Sequence, residues 1–312
     1  MRGLHLVPAN IDLSFISKKT LFFAFSTILI LGSIIMFLAN GLNYGIDFKG
    51  GIMIEVRTEK AADIGAMRKN LGSLGLGEVA LQEFGQPTDV LIRIQRQDGG
   101  EKAQQEAVSK VKSALGEKVE YRRTEFVGPK VSDELFWDGV LAVGLAIFAI
   151  LVYIWFRFEW QFGMGAVVAL SHDVISTIGI FSLLGLEFNL STVAAVLTIA
   201  GYSINDTVVV FDRVRENLRK YKKMPLPELL NNSINQTLSR TVMTSVTTLL
   251  ALCALYFLGG AVIRDFSFAM IWGVIIGTYS SICLAVPLLL YLNVSRRGLM
   301  VGETDDAASQ AP

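Results

Sequence analysis

Four ionisable side chains stand within or at the edge of stretches that are otherwise apolar: Asp173, Asp206, His172 and Arg240. Asp206 falls in the run Leu190–Phe211, long enough to cross a bilayer. A charge at such depth is costly, so it faces a bundle interior and serves an ion or proton pathway. Tyr202 and Ser203 precede Asp206 by one helical turn, which predicts either hydroxyl beside its carboxylate, and Asn205 completes the polar set on that span. On another span Asp173 is preceded by His172 and followed one turn on by Ser176 and Thr177. Arg240, Thr244 and Thr247/Thr248 form a third stripe. Lipid offers these groups no partners, so the stripes are expected to face one another.

The chemistry such a set supports is proton exchange, with Asp206, Arg240 and Asp173 expected as the proton-coupling residues and Tyr202, Ser203, Asn205, His172 and Thr244 as supporting polar groups. At ~1.5 Å per residue, Asp173 lies ~16 Å into its span, near the midplane, and Asp206 ~9 Å from the cytoplasmic surface. Arg240 begins the fifth span on that same side, and its side chain can climb toward Asp206. Burial and a neighbouring guanidinium act on a carboxyl in opposite senses, so a small shift between helices switches its protonation. Exposure to the proton-rich outer side loads Asp206, and approach of Arg240 unloads it. Each residue also has a plainer role: Arg240 as a snorkelling interfacial anchor, Asp173 as a hydrogen-bonded packing group, His172 as a packed polar residue. Asp212 and Arg213, at the membrane edge, read as an interfacial pair.

The elements that position these groups follow from composition. The 312 residues are 52% hydrophobic and 18% charged, against about 25% charge in soluble domains, which makes this a polytopic α-helical membrane protein. A net charge of +0 gives no basic excess for nucleic acid. Spans are predicted over 21–39, 135–156, 162–184, 190–211, 241–258 and 266–292. The first is longer than the apolar core of a signal peptide and reads as a retained anchor. Lys and Arg gather in 1–20, 212–240 and 293–312, which places both termini on the cytoplasmic side. Cys253 and Cys283 lie in apolar runs and read as packing residues; with only His5 and His172 there is no metal-ligand spacing, and no cofactor is expected. Gly273-x-x-x-Gly277, with Ser280 and Ser281 a turn on, suits close helix approach, and Pro287 predicts a kink. After Pro227, Leu226, Leu230, Ile234 and Leu238 share one side of the 212–240 link, which predicts an amphipathic helix lying flat on the membrane. The tail 293–312 reads as disordered.

Residues 40–134 are polar enough to form one extracytoplasmic domain. Strands are expected at 52–57, 79–84, 90–95 and 118–126, and helices at 61–74 and 101–115, with Val108, Val111 and Leu115 facing inward. Gly85-Gln86-Pro87-Thr88-Asp89 is a hairpin signal, and Gly50-Gly51 a tight turn into the first strand. The order β-α-β-β-α-β is that of an α+β, ferredoxin-like fold. The segment has no nucleophile–base pairing and no phosphate loop, so a non-enzymatic role is expected.

The stretch Gly-Tyr-Ser-Ile-Asn-Asp-Thr-Val-Val-Val-Phe-Asp-Arg-Val-Arg-Glu-Asn at 201–217 resembles the fourth-span signature of the SecD/SecF family of bacterial protein-export membrane proteins, on its SecF side. The resemblance continues in Asn43–Gly51 (Asn-Tyr-Gly-Ile-Asp-Phe-Lys-Gly-Gly), Ser171-His172-Asp173 and Ser239–Ser245, and so covers essentially residues 10–295. It implies half of a resistance–nodulation–division-type bundle, with a separate SecD-like polypeptide supplying the other half. It further implies work with SecYEG, and with YajC and YidC, on an unfolded preprotein after the SecA-driven step, drawing on the proton motive force across the inner membrane. The family's proton-coupling carboxylate and arginine map onto Asp206 and Arg240. A proton-driven exporter of the same superfamily is one alternative, though a single small outer domain offers little porter surface. A passive scaffold is another, and an intramembrane aspartyl protease a third, for which the two carboxylates are expected at one depth rather than two.

Overall fold

The computed structural model describes residues 12–84, 86–116, 119–260, 263–292 and 294. His5 and the expected tail at 293–312, apart from Val294, lie outside the described residues. In chain order the elements are α1 (Lys19–Asn40), β1 (Asn43–Tyr44), α2 (Ile46–Lys49), β2 (Gly51–Thr58), α3 (Ile64–Gly72), β3 (Val79–Phe84), β4 (Gln86–Ile94), α4 (Gly100–Leu115), β5 (Val119–Val127), α5 (Pro129–Arg157), α6 (Trp160–Leu184), β6 (Glu187–Phe188), α7 (Leu190–Lys220), α8 (Leu226–Leu258) and α9 (Arg264–Ser280). α9 runs on through a π-helical turn, Ser281–Ala285, and a last turn, Val286–Leu288, so the distortion lies just ahead of Pro287. Among the described residues six helices are long and apolar enough to cross a membrane.

Local chemistry sets where these helices stop and start. Pro129 occupies the first turn of α5, where its missing N–H is not needed. Gly185 closes α6 at a φ of 63°, a left-handed position that a side chain disfavours. Asn189 opens α7 by accepting from the Thr192 amide at 3.0 Å, with the Thr192 hydroxyl returning the bond. Helices α6, α7 and α9 form the inner layer and bury about half or more of their apolar lengths, whereas α1 and α5 are mostly exposed. Glycine permits the closeness. A Cβ on Gly273 would run into Ile199, and one on Gly277 would lie 3.2 Å from the Ser203 Cβ and 3.5 Å from Asp173 Oδ2.

Two expectations for the helices do not hold. The link after Pro227 is not a separate helix lying flat on the membrane, because α8 is continuous from Leu226 to Leu258. No Gly or Pro interrupts 228–258, and Leu229, Leu230, Ile234 and Leu238 are buried in one cluster with Val214, Leu218 and Leu289, so their apolar stripe meets protein. Asn231 and Asn235 accept from the Phe15 and Leu13 amides at 2.9 Å each, fastening the segment before α1 to α8. Secondly, α5 and α7 extend beyond their apolar cores, since hydropathy marks the lipid-compatible part and not the end of helix propagation.

The domain between α1 and α5 is a four-stranded antiparallel sheet of order β3-β4-β2-β5, with α3 and α4 as the crossovers. The chain order β-α-β-β-α-β is the expected one. Ile52, Ile54, Val56, Val90, Ile92 and Ile94 bury one sheet face with Leu71, Ala107 and Val111 of the helices. Gly50 and Gly51 take φ of 69° and 126°, and a side chain at Gly51 would meet the Ile94 carbonyl oxygen at 2.6 Å. The expected hairpin loop at 85–89 is shorter than its composition suggests. Phe84 pairs with Gln86, and residues 86–89 belong to β4. Arg57 explains this, gripping Asp89 across the ladder with bonds of 2.5 and 2.8 Å.

Candidate functional site in the helix bundle

Asp173 projects from α6 to the point where α7 and α9 meet, and it is fully buried. Its Oδ2 accepts from the Ser203 hydroxyl of α7 at 2.5 Å and from the Ser280 hydroxyl of α9 at 2.8 Å. Its Oδ1 lies 2.9 Å from His172 Nδ1. One carboxyl group thus ties three helices together. Ser176 and Thr177 do not join in. Their hydroxyls donate to the Asp173 backbone carbonyl at 3.0 and 2.8 Å, the usual fate of Ser and Thr inside a helix. His172 Nε2 is buried with no protein partner.

Asp206 sits one turn beyond Ser203 on α7 and is 3% exposed, with its Oδ2 buried and without a hydrogen-bond partner among the described residues. The sequence spacing predicted Ser203 or Tyr202 beside it; neither is. Ser203 turns across to Asp173, and the Tyr202 hydroxyl is buried unpartnered. The reason is geometric: residues three apart on α7 share a face, but the Ser203 hydroxyl bonds instead to the carboxyl oxygen that α6 brings within 2.5 Å of it. Next to Asp206, Thr207 shares a 2.8 Å hydrogen bond with Ser281 at the start of the π turn. Such turns loosen the regular backbone ladder and recur at working sites.

Arg240 lies exposed on α8, and among the described residues no hydrogen bond joins it to the buried Oδ2 of Asp206. Thr244 and Thr247 also miss the polar set, their hydroxyls donating to carbonyls of their own helix. The inward face of α8 carries Thr241 and Ser245 instead, and Ser245 shares a 2.6 Å bond with Thr278 of α9. Asn205 faces out of the bundle. Asp212 and Arg213 do not pair with each other: Asp212 binds Arg157 of α5 at 2.8 Å, and Arg213 binds Glu216 at 2.9 Å. Both pairs are half-exposed and contribute little.

Ser280, Ser281, Thr207, Ser245 and Thr278 are the site residues that helical spacing did not assign. Ser280 and Ser281 were legible as polar residues in a span, but their proximity to Gly277 marked them as packing residues.

Beyond the bundle, Asp47 and Glu187 hold the outer domain to the turn between α6 and α7. Burial pushes the Glu187 carboxyl above its usual range, with the guanidinium of Arg93 pulling it back.

Comparison with known proteins agrees with this architecture. The family described as protein export membrane protein SecD/SecF, C-terminal, matches residues 107–295, and the SecD/SecF GG motif matches residues 35–62. The protein translocase subunit SecF of Rickettsia akari is 50% identical over 288 residues, covering 92% of this chain and 94% of that protein. The corresponding subunit of Rhodobacter capsulatus is 49% identical, covering 94% and 92%. Among solved structures, SecDF from Thermus thermophilus, described as a translocon-associated membrane protein, superposes with a TM-score of 0.84 at 38% identity, over 92% of this chain and 39% of that one. SecDF in its super-membrane-facing form gives a TM-score of 0.68 at 36% identity, over 98% and 41%. This chain therefore spans about two fifths of the length of those SecDF chains. With six apolar helices, a polar seam at their centre and these relatives along nearly its whole length, the chain belongs to the SecF family of protein translocase subunits.

Proposed function

We propose that this subunit couples the proton motive force to late-stage movement of preproteins, with Asp206 as the group that takes up and gives off the proton. The observation that carries the reading is the contrast between two buried carboxylates on neighbouring helices, Asp173 on α6 and Asp206 on α7. Asp173 is saturated with donors, whereas Asp206 has an oxygen with none. A buried carboxylate lacking donors is poorly held in its charged form, so a proton or an approaching cation changes its energy most. Arg240 is the nearby cation, and motion of α8 relative to α7 brings it nearer or withdraws it. Protonating Asp206 removes a buried charge and alters how α6, α7 and α9 fit. Each charge moved through 100 mV supplies about 2.3 kcal/mol, enough to bias a domain motion but not to unfold a protein.

The rest of the reading follows. The basic ends of α5 and α7 face the cytoplasm, both termini are cytoplasmic, and the domain built on β2–β5 is periplasmic, in a bacterial inner membrane. Asn205 of α7 and Arg240 of α8 are exposed on the outside of the bundle, where lipid offers such groups no partner. That face suits a second polypeptide of SecD type. SecYEG, with YajC and YidC, and an unfolded preprotein complete the assembly. The subunit is not an enzyme and needs no cofactor beyond the coupling proton.

The test uses vesicles carrying this chain with its SecD partner and SecYEG. Preprotein movement is compared with and without a proton gradient for wild type, Asp206→Asn and Arg240→Met. Loss of the gradient's effect in both variants is expected; an unchanged response in both removes the reading.

A further inference from the structure

The domain is joined to the bundle covalently at two places, where the chain enters β2 at Gly51 and where it leaves β5 at Val127. These strands are neighbours in the sheet, and Gly51 pairs with Val127. Two tethers side by side define a hinge line, about which the domain is free to rock. A third tether off that line fixes its tilt, and one is present. Arg93 stands on β4, on the other side of β2 from β5, and forms an ion pair with Glu187 in the turn between α6 and α7. Both side chains are largely buried, at 15% and 10% exposure, so the pair is little weakened by solvent.

The seat of this tether is built in detail. β1 and β6 pair in parallel, Asn43 opposite Glu187 and Tyr44 opposite Phe188. The Gly45 amide donates to the Phe188 carbonyl at 2.9 Å, and a Cβ on Gly45 would lie 2.5 Å from Glu187 Oε1, so only glycine leaves the carboxylate in place. Asp47 Oδ2 accepts from the Leu190 amide at 2.9 Å, setting a negative charge on the N-terminal end of α7. Phe48 and Tyr44 pack on Phe188 and on Phe136 of α5. Residues 43–48 and the α6–α7 turn therefore form one packed unit at the head of α7. Asp206 lies ~24 Å down that helix, a rigid rod on this length scale.

We propose that Arg93 and Glu187 are positioning residues, a third tether through which displacement of α7 sets the tilt of the outer domain. This rests on the proton-coupled reading of Asp206, but the tether itself is separately measurable. Spin labels at Ser113 on α4 and Leu258 at the end of α8, in full-length chain with Cys253→Ala and Cys283→Ala, in vesicles with the SecD partner, report the tilt as a distance distribution. Arg93→Glu is expected to broaden that distribution, and Arg93→Glu with Glu187→Arg to narrow it again. In the transport assay Arg93→Glu loses the gradient's effect on preprotein movement, and the charge swap recovers it. The swap separates a lost tether from a damaged domain, because both proteins carry the same changed sheet residue. An unchanged distribution in Arg93→Glu overturns the proposal. So does a broadened one with full gradient response, provided Asp206→Asn abolishes that response. If Asp206→Asn leaves transport untouched while the distribution still broadens, the proton-coupled reading fails and the tether stands as a structural one.

Discussion

Asp173 and Asp206 are equally hidden, yet their surroundings differ in kind. Around Asp173, hydroxyls from two other helices and an imidazole converge on both oxygens. Around Asp206, hydroxyls exist but are engaged elsewhere: Ser203 with Asp173, and Thr207 with Ser281. The first arrangement is a fastening, costly to disturb. The second leaves a charge whose stability depends on what approaches it. Burial alone thus does not mark a working carboxylate; the supply of donors does.

This contrast is broken most severely at Asp206 itself. Asp206→Asn is expected to lower preprotein movement to its gradient-free level while the protein still folds, since little hydrogen bonding is lost; heat-induced unfolding in detergent alongside the transport assay checks both halves. Asp173→Leu should do the reverse. Ser203 and Ser280 lose their acceptor, and at about 1–3 kcal/mol per buried unsatisfied group the bundle is destabilised outright. Asp173→Asn, which keeps an acceptor oxygen, should fall between, and the order of melting temperatures reads this out. Gly273→Leu sharpens the same point from the packing side. It leaves both carboxylates intact but forces α9 from Ile199, at about 1–3 kcal/mol for overpacking, and a melting shift without loss of gradient response in the folded fraction is expected.

The smallest effect extends the comparison outside the membrane. Asp89, like Asp173, is saturated: the Arg57 hydrogen bonds hold its carboxyl below the usual range. Its folded value is lower than its unfolded value, so the stabilisation is present above an unfolded value near ~3.9 and is lost as pH falls through the folded one. Arg57→Gln should lower domain stability modestly at neutral pH and flatten its decline in acid. Hydrogen exchange of β2 and β4 amides across that range measures it.

Much of this was legible from the amino acids. Six apolar runs give six helices, and the strand at Val79–Phe84 ends where its alternation ends. The carboxylates inside spans were visible as such. What spacing cannot supply is the partner across an interface. Ser203 and Asp206 share a face of α7, which suggested a pair; the competing acceptor lies thirty positions earlier in sequence, on α6. Composition likewise misjudged Pro87, because a ladder ion pair at Asp89 holds the strand open to Gln86. The leucines of 226–238 showed an apolar side, but not that protein rather than lipid would cover it.

In the proposed cycle Asp206 exchanges a proton and Asp173 does not. Infrared difference spectroscopy of vesicles switched between high and low outer pH reads protonated carboxyl groups directly. Over the background of the exposed acids, one component of the carboxylic-acid band that grows at low pH in wild type should remain in Asp173→Asn and be missing from Asp206→Asn. A component that persists in Asp206→Asn and vanishes in Asp173→Asn would contradict the assignment.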